Sequence, residues 1–168
     1  HLPLFSTIKI MKNQYQQCLD EINQMVILDQ DLRGGSNIDW KKVEAVDKKH
    51  TERMKEIIKE IGFPSISKLG KMGSQNAWLL VQHSPDVQFM KSYLAMMEAE
   101  SDREYSMINY AYLKDRILLN DNEPQIYGTQ VITNNETKKT ELYKVIDPDN
   151  LDKRRKAIGL EPIEEYMK

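Results

Sequence analysis

The stretch "DWKKVEAVDKKHTERMKEIIKEIGFP", residues 39–64, decides the fold class. Trp40, Val43, Asp47, His50, Met54, Ile57 and Ile61 follow one another at alternating steps of three and four, the spacing of one helix face. Asp39 is placed to cap the start of this helix, and Gly62 with Pro64 ends it. Its other sides carry Lys and Glu, an ordinary solvated surface that nominates no partner. Two of the inward positions, Asp47 and His50, are polar, and burying a polar group costs free energy unless it is paired.

The same rhythm extends upstream. From Phe5 to Leu32, Phe5, Ile8, Met11, Tyr15, Cys18, Ile22 and Met25 form one helical face, stopped by Gly34-Gly35, so the two helices are expected to pack as an antiparallel pair. Asp29 falls on this stripe, with Arg33 four residues later in the favourable acid-then-base order. A local ion pair at a helix end, worth about 0.3–0.5 kcal/mol when exposed, accounts for the pair equally well as a site would.

Downstream, the Gly-punctuated link "GFPSISKLGKMG" leads to the apolar helix "SQNAWLLVQH", whose unbroken hydrophobic run suggests burial on several sides. Ser84 as cap and Pro85 at the first position open a helix over Pro85–Ala99, which leaves His83 at a tight corner. A further helix, Arg103–Leu119, carries Ile108, Ala111, Tyr112, Asp115 and Leu119 on one side and ends in "NDNEP". The period then changes. "QIYGTQVIT" and "TELYKVI" are rich in β-branched and aromatic residues and flank "NNETKK", which reads as a hairpin with Gly128 marking a bulge or close approach. Short helices over Leu151–Ile158 and Pro162–Tyr166 complete the chain. The expectation is a mainly α protein: residues 1–168 as a single-domain helical bundle of five to seven helices with one small β-hairpin near residues 125–146.

The chain has 168 residues, enough to bury a real core, and its net charge of -2, from 24 Lys+Arg and 26 Asp+Glu, gives no electrostatic reason to expect nucleic acid or an anionic membrane as partner. The lone Cys18 cannot form an internal disulfide and reads as a buried, inert thiol. No apolar run approaches a membrane span and no signal peptide is visible, but the sequence begins with His1 rather than Met. A cytoplasmic location, or a secreted or periplasmic one if a leader preceded His1, are both compatible with it, and the oligomeric state is not legible.

Asp47-x-x-His50 places two ligand-capable groups on one helical face, but a metal site needs more donors, which His83 and Asp115 would have to supply. No metal and no cofactor is assigned: there is neither a phosphate loop nor a dinucleotide fingerprint. His83 sits where unsatisfied carbonyls favour a protonated imidazole, although with Gln82 it can equally be a cap of the chain reversal. Asp115 shares a face with Ile108 and Ala111, which argues for burial, whereas Arg116 shares one with Asn109 and Asn120, which argues for solvent.

With "DQDLR", "WLLVQH", "YLKDR", "PQIYGTQ", "DKRRKAIGL" and "IEEY" in this order, residues Asp29 to Tyr166 resemble a bacterial family of unknown function marked by a Tyr-Gly-Thr-Gln motif. The resemblance implies no particular activity, and its members occur both as plain chains and behind secretion signals. It singles out Asp29, Gln30, Arg33, Asp47, Gln82, His83, Asp115, Arg116, Gln125, Tyr127, Gly128, Thr129, Gln130 and the Arg154-Arg155 pair. His50 departs from that pattern, where related sequences tend to carry Asn, and Ser84-Pro85-Asp86 stands where they more often read Ala-Asp.

If the 125–131 strand lies across the helices, alternation sends Gln125, Tyr127 and Thr129 to one face and Ile126, Gly128 and Gln130 to the other. The inward side would close a pocket with His83, Asp29, Asp47 and Asp115. Two functions follow. One is an enzyme, a hydrolase or transferase acting on a small molecule, a phosphate ester or a glycoside, with His83 as general acid or base, Asp115 or Asp47 orienting it, and Arg33 or Arg116 holding an anionic group. In that reading Asp29, Gln30, Gln82, Gln125, Tyr127, Thr129 and Gln130 line the substrate site. The other is a non-catalytic module that binds a protein, peptide or small ligand, its polar inlay a structural network.

Overall fold

The computed structural model describes residues 4–134 and 136–168, with the side chains of residues 4–6 excepted. His1, the side chain of Phe5 and Asn135 of the expected hairpin turn lie outside the described residues. Seven α-helices and one two-stranded antiparallel hairpin make up the described chain, which is mainly α as expected. The chain divides into two compact units, His1–Tyr105 and Ser106–Lys168. No helix among the described residues is long and apolar enough to cross a membrane.

The first unit contains α1 (Leu4–Arg33), α2 (Trp40–Ile61), α3 (Ile66–Gln82) and α4 (Val87–Ala99). Helix α1 packs on α2 and α3, α2 on α3, and α3 on α4. Arg33 pairs with Asp47 near the α1–α2 turn and Arg53 with Glu21 further from it, which marks the antiparallel run. In α2, Asp39 caps the start by accepting from Lys42 N, and Val43, Met54, Ile57 and Ile61 are buried. Each such side chain contributes about 1.5–3 kcal/mol when fully buried. Trp40, the first residue of the stripe, is 64% exposed.

Helix α1 shows the same limit of periodicity. Cys18 and Ile22 are buried, whereas Ile8 and Met11 are exposed although they share the face, so the pattern gives the helix but not where its partners stop. The segment 66–73, expected as a link, is helical, with Ser65 at the N-cap position but no capping hydrogen bond from its side chain, and the chain breaks its helical path only at Gly70, with φ 73. The start of α4 also moves. Asp86, not Ser84, caps it by accepting from Phe89 N, and Ser84 instead takes a hydrogen bond from Thr51 Oγ1.

The second unit contains α5 (Met107–Asn120), strands β1 (Val131–Thr133) and β2 (Thr140–Leu142), a 3-10 turn at Pro148–Asn150, α6 (Leu151–Ala157) and α7 (Ile163–Tyr166). The register pairs Val131 with Leu142, Ile132 with Glu141 and Thr133 with Thr140. Helix α5 starts at Met107 behind the Ser106 cap, later than Arg103. Its buried positions are Asn109, Ala111, Leu113, Asp115 and Ile117, while Ile108 is 37% exposed. The expected face was therefore turned: the stripe through Asp115 and Ala111 is right, but Asn109 lies inside and Ile108 outside.

Residues 125–130 form no strand, and this corrects the reading of QIYGTQV as a pleated segment. The backbone N–H groups of Ile126, Tyr127 and Thr129 point at Asp115 rather than at a neighbouring strand. Gly128 has φ 65, a left-handed conformation that an extended run excludes.

Candidate functional site

Two polar clusters account for the residues that the sequence singles out, one in each unit. In the first, Asp29 is fully buried on the inner face of α1 and is contacted by three side chains. His83 Nδ1 lies 2.9 Å from Oδ1 and 3.0 Å from Oδ2, Gln30 Nε2 donates to Oδ2 at 2.7 Å, and Arg33 Nη1 donates to Oδ1 at 2.5 Å. Arg33 also reaches across to α2, where Nη2 donates to Asp47 Oδ2 at 2.8 Å. One guanidinium thus joins two carboxylates, a tighter arrangement than the local ion pair that spacing alone accommodates.

Burial opposes ionisation of Asp29, but the hydrogen bonds from His83 and Gln30 and the charges of His83 and Arg33 outweigh it, so its pKa lies below the ordinary carboxylate value. Asp29 is accordingly a sealed anion. His83 stands at the C-terminal end of α3, where its N–H bonds back to Leu79 O, and its side chain retains 21% of its exposure. Its Nδ1 is occupied by Asp29, and its Nε2 has no hydrogen-bond partner among the described residues. A histidine held through one nitrogen by a buried carboxylate, with the other nitrogen open, is fixed in orientation by that contact.

Asp47 and His50 lie beside this group on α2. His50 is buried, and burial pushes its pKa down against the pull of Asp29 and Asp47, so the ring is neutral at pH 7. The spacing offers His50 as a metal donor or a hydrogen-bonded core residue, yet its Nδ1 has no partner among the described residues. Among the described residues, no group of three or more His, Cys, Asp and Glu is placed to hold a metal ion. Gln82 is buried next to His83 at the end of α3. The groove nearest in sequence, about 410 Å³, is lined by Lys48, Thr51, Glu52, Pro85 and Asp86.

The second cluster answers to QIYGTQV. Asp115, fully buried on α5, accepts from Ile126 N at 2.7 Å and Tyr127 N at 3.1 Å through Oδ1, and from Thr129 N at 3.0 Å and Thr129 Oγ1 at 2.9 Å through Oδ2. Gln125, also fully buried, accepts from Gln130 N and donates to Gln130 O and Tyr143 O, closing the loop on itself. Gln130 Nε2 then donates to Thr129 Oγ1. The carbonyls on the loop's far side are taken by the Arg pair: Arg154 Nε donates to Ile126 O, and Arg155 Nη1 to Tyr127 O and Gly128 O. Tyr166 of α7 donates to Thr129 O and lies under the Arg155 guanidinium, 4.9 Å from ring centroid to Cζ.

The backbone N–H groups of Ile126, Tyr127, Thr129 and Gln130 and the carbonyls of residues 126–130 are thereby paired, as buried backbone requires. Arg116, on α5, is half-buried, and burial lowers its pKa, against the solvent-facing position that its spacing implied. The role of the Arg154-Arg155 pair in clamping the loop has no signal in the sequence beyond the resemblance itself.

The fold and these clusters define a mainly α-helical protein with a braced Asp-His pair in one unit and a carboxylate-centred loop in the other. The chain belongs to a family of unknown function, DUF6624, whose model matches residues 18–168. That match begins earlier than the motifs at Asp29, taking in the buried half of α1. No curated protein and no solved structure matches the chain.

Proposed function

We propose that the protein is an enzyme of hydrolase or transferase type in which His83 moves the proton and Asp29 orients it. The observation that carries this reading is the asymmetry of the His83 ring: Nδ1 bound to a sealed, braced carboxylate, Nε2 without a partner on a side chain that solvent reaches. As general base, Nε2 takes a proton from water or a substrate hydroxyl, and the imidazolium so formed is stabilised by Asp29. As general acid, it returns that proton to the leaving group. Arg33 fixes the carboxylates, since its two terminal nitrogens already serve Asp29 and Asp47. Asp115 has both oxygens committed to the 126–129 loop, so the orienting role falls to Asp29 in place of Asp115 or Asp47.

A second reading is a non-catalytic binding module, and the closed Asp115 network favours it, because that cluster is satisfied internally and leaves no group poised for chemistry. The test compares wild type with His83→Ala on nitrophenyl esters, phosphates and glycosides. The enzyme reading expects turnover of at least one class, lost in a variant that still folds; equal rates in both proteins would leave the binding module.

A further inference from the structure

Three contacts set the register of α1 against α3. His83 meets Asp29, Asn76 Nδ2 donates to Asn23 Oδ1 at 2.9 Å, and a Cβ at Gly73 would stand 2.6 Å from Leu19 Cδ1. Both numberings fall together, so the two helices run parallel, and α3, which begins at Ile66, starts beside residues 12–16 of α1. Helix α2 runs the other way and ends at Ile61, one residue past the Glu60 carboxylate that accepts from Cys18 Sγ. Within the first unit, both helices that flank α1 therefore stop short of its first turns. Ile8 and Met11 are 43% and 44% exposed there, on the face that carries Cys18 and Ile22 into the core further along.

Where α3 starts, a groove of about 380 Å³ is lined by Lys12, Tyr15, Gln16, Leu19, Ser67 and Lys68. Ile8, Lys12, Tyr15 and Leu19 follow one another at steps of four, three and four, so groove and exposed apolar residues form one strip. At 1.5 Å per residue the strip is about 17 Å long, or about three helical turns. Its charge has one sign along α1: between residues 4 and 19 that helix holds Lys9 and Lys12 and no acid. Lys48, Arg53 and Lys55 of α2 all pair with glutamates, whereas Lys9 and Lys12 have no acidic partner among the described residues. On the α3 side, Lys68 is tied to Ile61 O and Phe63 O, and Glu104 accepts from Ser67 N.

We propose that this strip docks an acidic amphipathic helix of a partner protein, with apolar side chains against Ile8, Met11 and Tyr15 and carboxylates beside Lys9 and Lys12. A second copy of the chain fits poorly, because a two-fold contact sets a patch against itself and would bring these lysines against their own counterparts. An anionic membrane fits poorly as well, since such surfaces are recognised by clusters of about four to eight basic residues. His83 has no part in this surface, so the outcome of the turnover assays does not bear on it.

The test is fluorescence anisotropy of a labelled peptide of about 15 residues, Leu at alternating steps of three and four with Glu and Ala between, titrated with the whole chain. A second peptide carries Lys in place of Glu. The Leu/Glu peptide is expected to bind, more weakly as salt rises from about 0.05 to about 0.5 M, and the Leu/Lys peptide is not. Binding should weaken about tenfold in Lys9→Ala/Lys12→Ala and by at least as much in Ile8→Glu. All three positions are exposed, so melting temperatures should stay at the wild-type value, and the lysine variant carries the test if Ile8→Glu folds poorly. The inference is overturned if the Leu/Glu peptide does not bind, if the variants bind it as wild type does, or if the Leu/Lys peptide binds equally. It is overturned as well if sedimentation shows a dimer that Ile8→Glu dissociates, or if phosphatidylserine vesicles bind wild type and not Lys9→Ala/Lys12→Ala.

Discussion

His83 Nδ1 lies within 3.0 Å of both carboxylate oxygens of Asp29, and that carboxylate has no exposure to solvent. The pair joins the end of α3 to the inner face of α1, fifty-four positions apart in the chain. Removing His83 leaves Asp29 still accepting from Gln30 and Arg33, so His83→Ala is expected to cost only about 1–2 kcal/mol, read by chemical denaturation.

Asp29→Ala should behave differently. It strips Arg33 of one partner and His83 of its only one in a buried setting, and breaking a buried pair of this kind costs about 3–5 kcal/mol. A loss under about 1 kcal/mol in a urea titration would mean that the cluster does little to hold α1 and α3.

The acid side of the stability curve carries two separable contributions, each with the same sign. Burial depresses the His50 pKa below the usual 6.5, so its neutral form supports folding above that value, and the support is lost as pH falls from there through the folded value. Asp29 is also depressed, below the usual 3.8, and its contribution is lost at lower pH still. Melting temperatures taken from pH 7 downward should show wild type weakening below 6.5 and His50→Leu lacking that first decline.

The Asp115 loop gives a sharp substitution. Asn at 115 turns one accepting oxygen into a donor facing the N–H groups of the loop, and stability should fall by about 2–4 kcal/mol. Gly128→Ala adds a Cβ at positive φ, 3.3 Å from Leu151 Cδ2, and should cost about 1–2 kcal/mol by the same measurement.

Much of this architecture was legible in the residues. The alternating steps of three and four in 39–64 gave α2 with its cap and its polar intruders, and the Asp29, Asp47 and His83 anomalies fall in one cluster in the first unit. Periodicity could not say where burial ends, since Ile8, Trp40 and Ile108 look like core in sequence and are exposed. It also misread 125–130, because β-branched and aromatic composition does not reveal that a carboxylate on α5 draws the backbone N–H groups away from a ladder. The pairing of Asp29 with His83 is a tertiary fact, fixed by how α1 meets α3, and no local spacing encodes it.

The measurement that bears most directly on the proposed dyad is a double-mutant cycle in turnover, with His83→Ala, Asp29→Asn and the double variant assayed on whichever nitrophenyl substrate the wild type cleaves. If Asp29 acts only through His83, either single change should cost about a hundredfold or more, and the double variant should be no slower than His83→Ala alone. Effects that multiply independently, or a folded His83→Ala protein that keeps wild-type rates, would contradict the account.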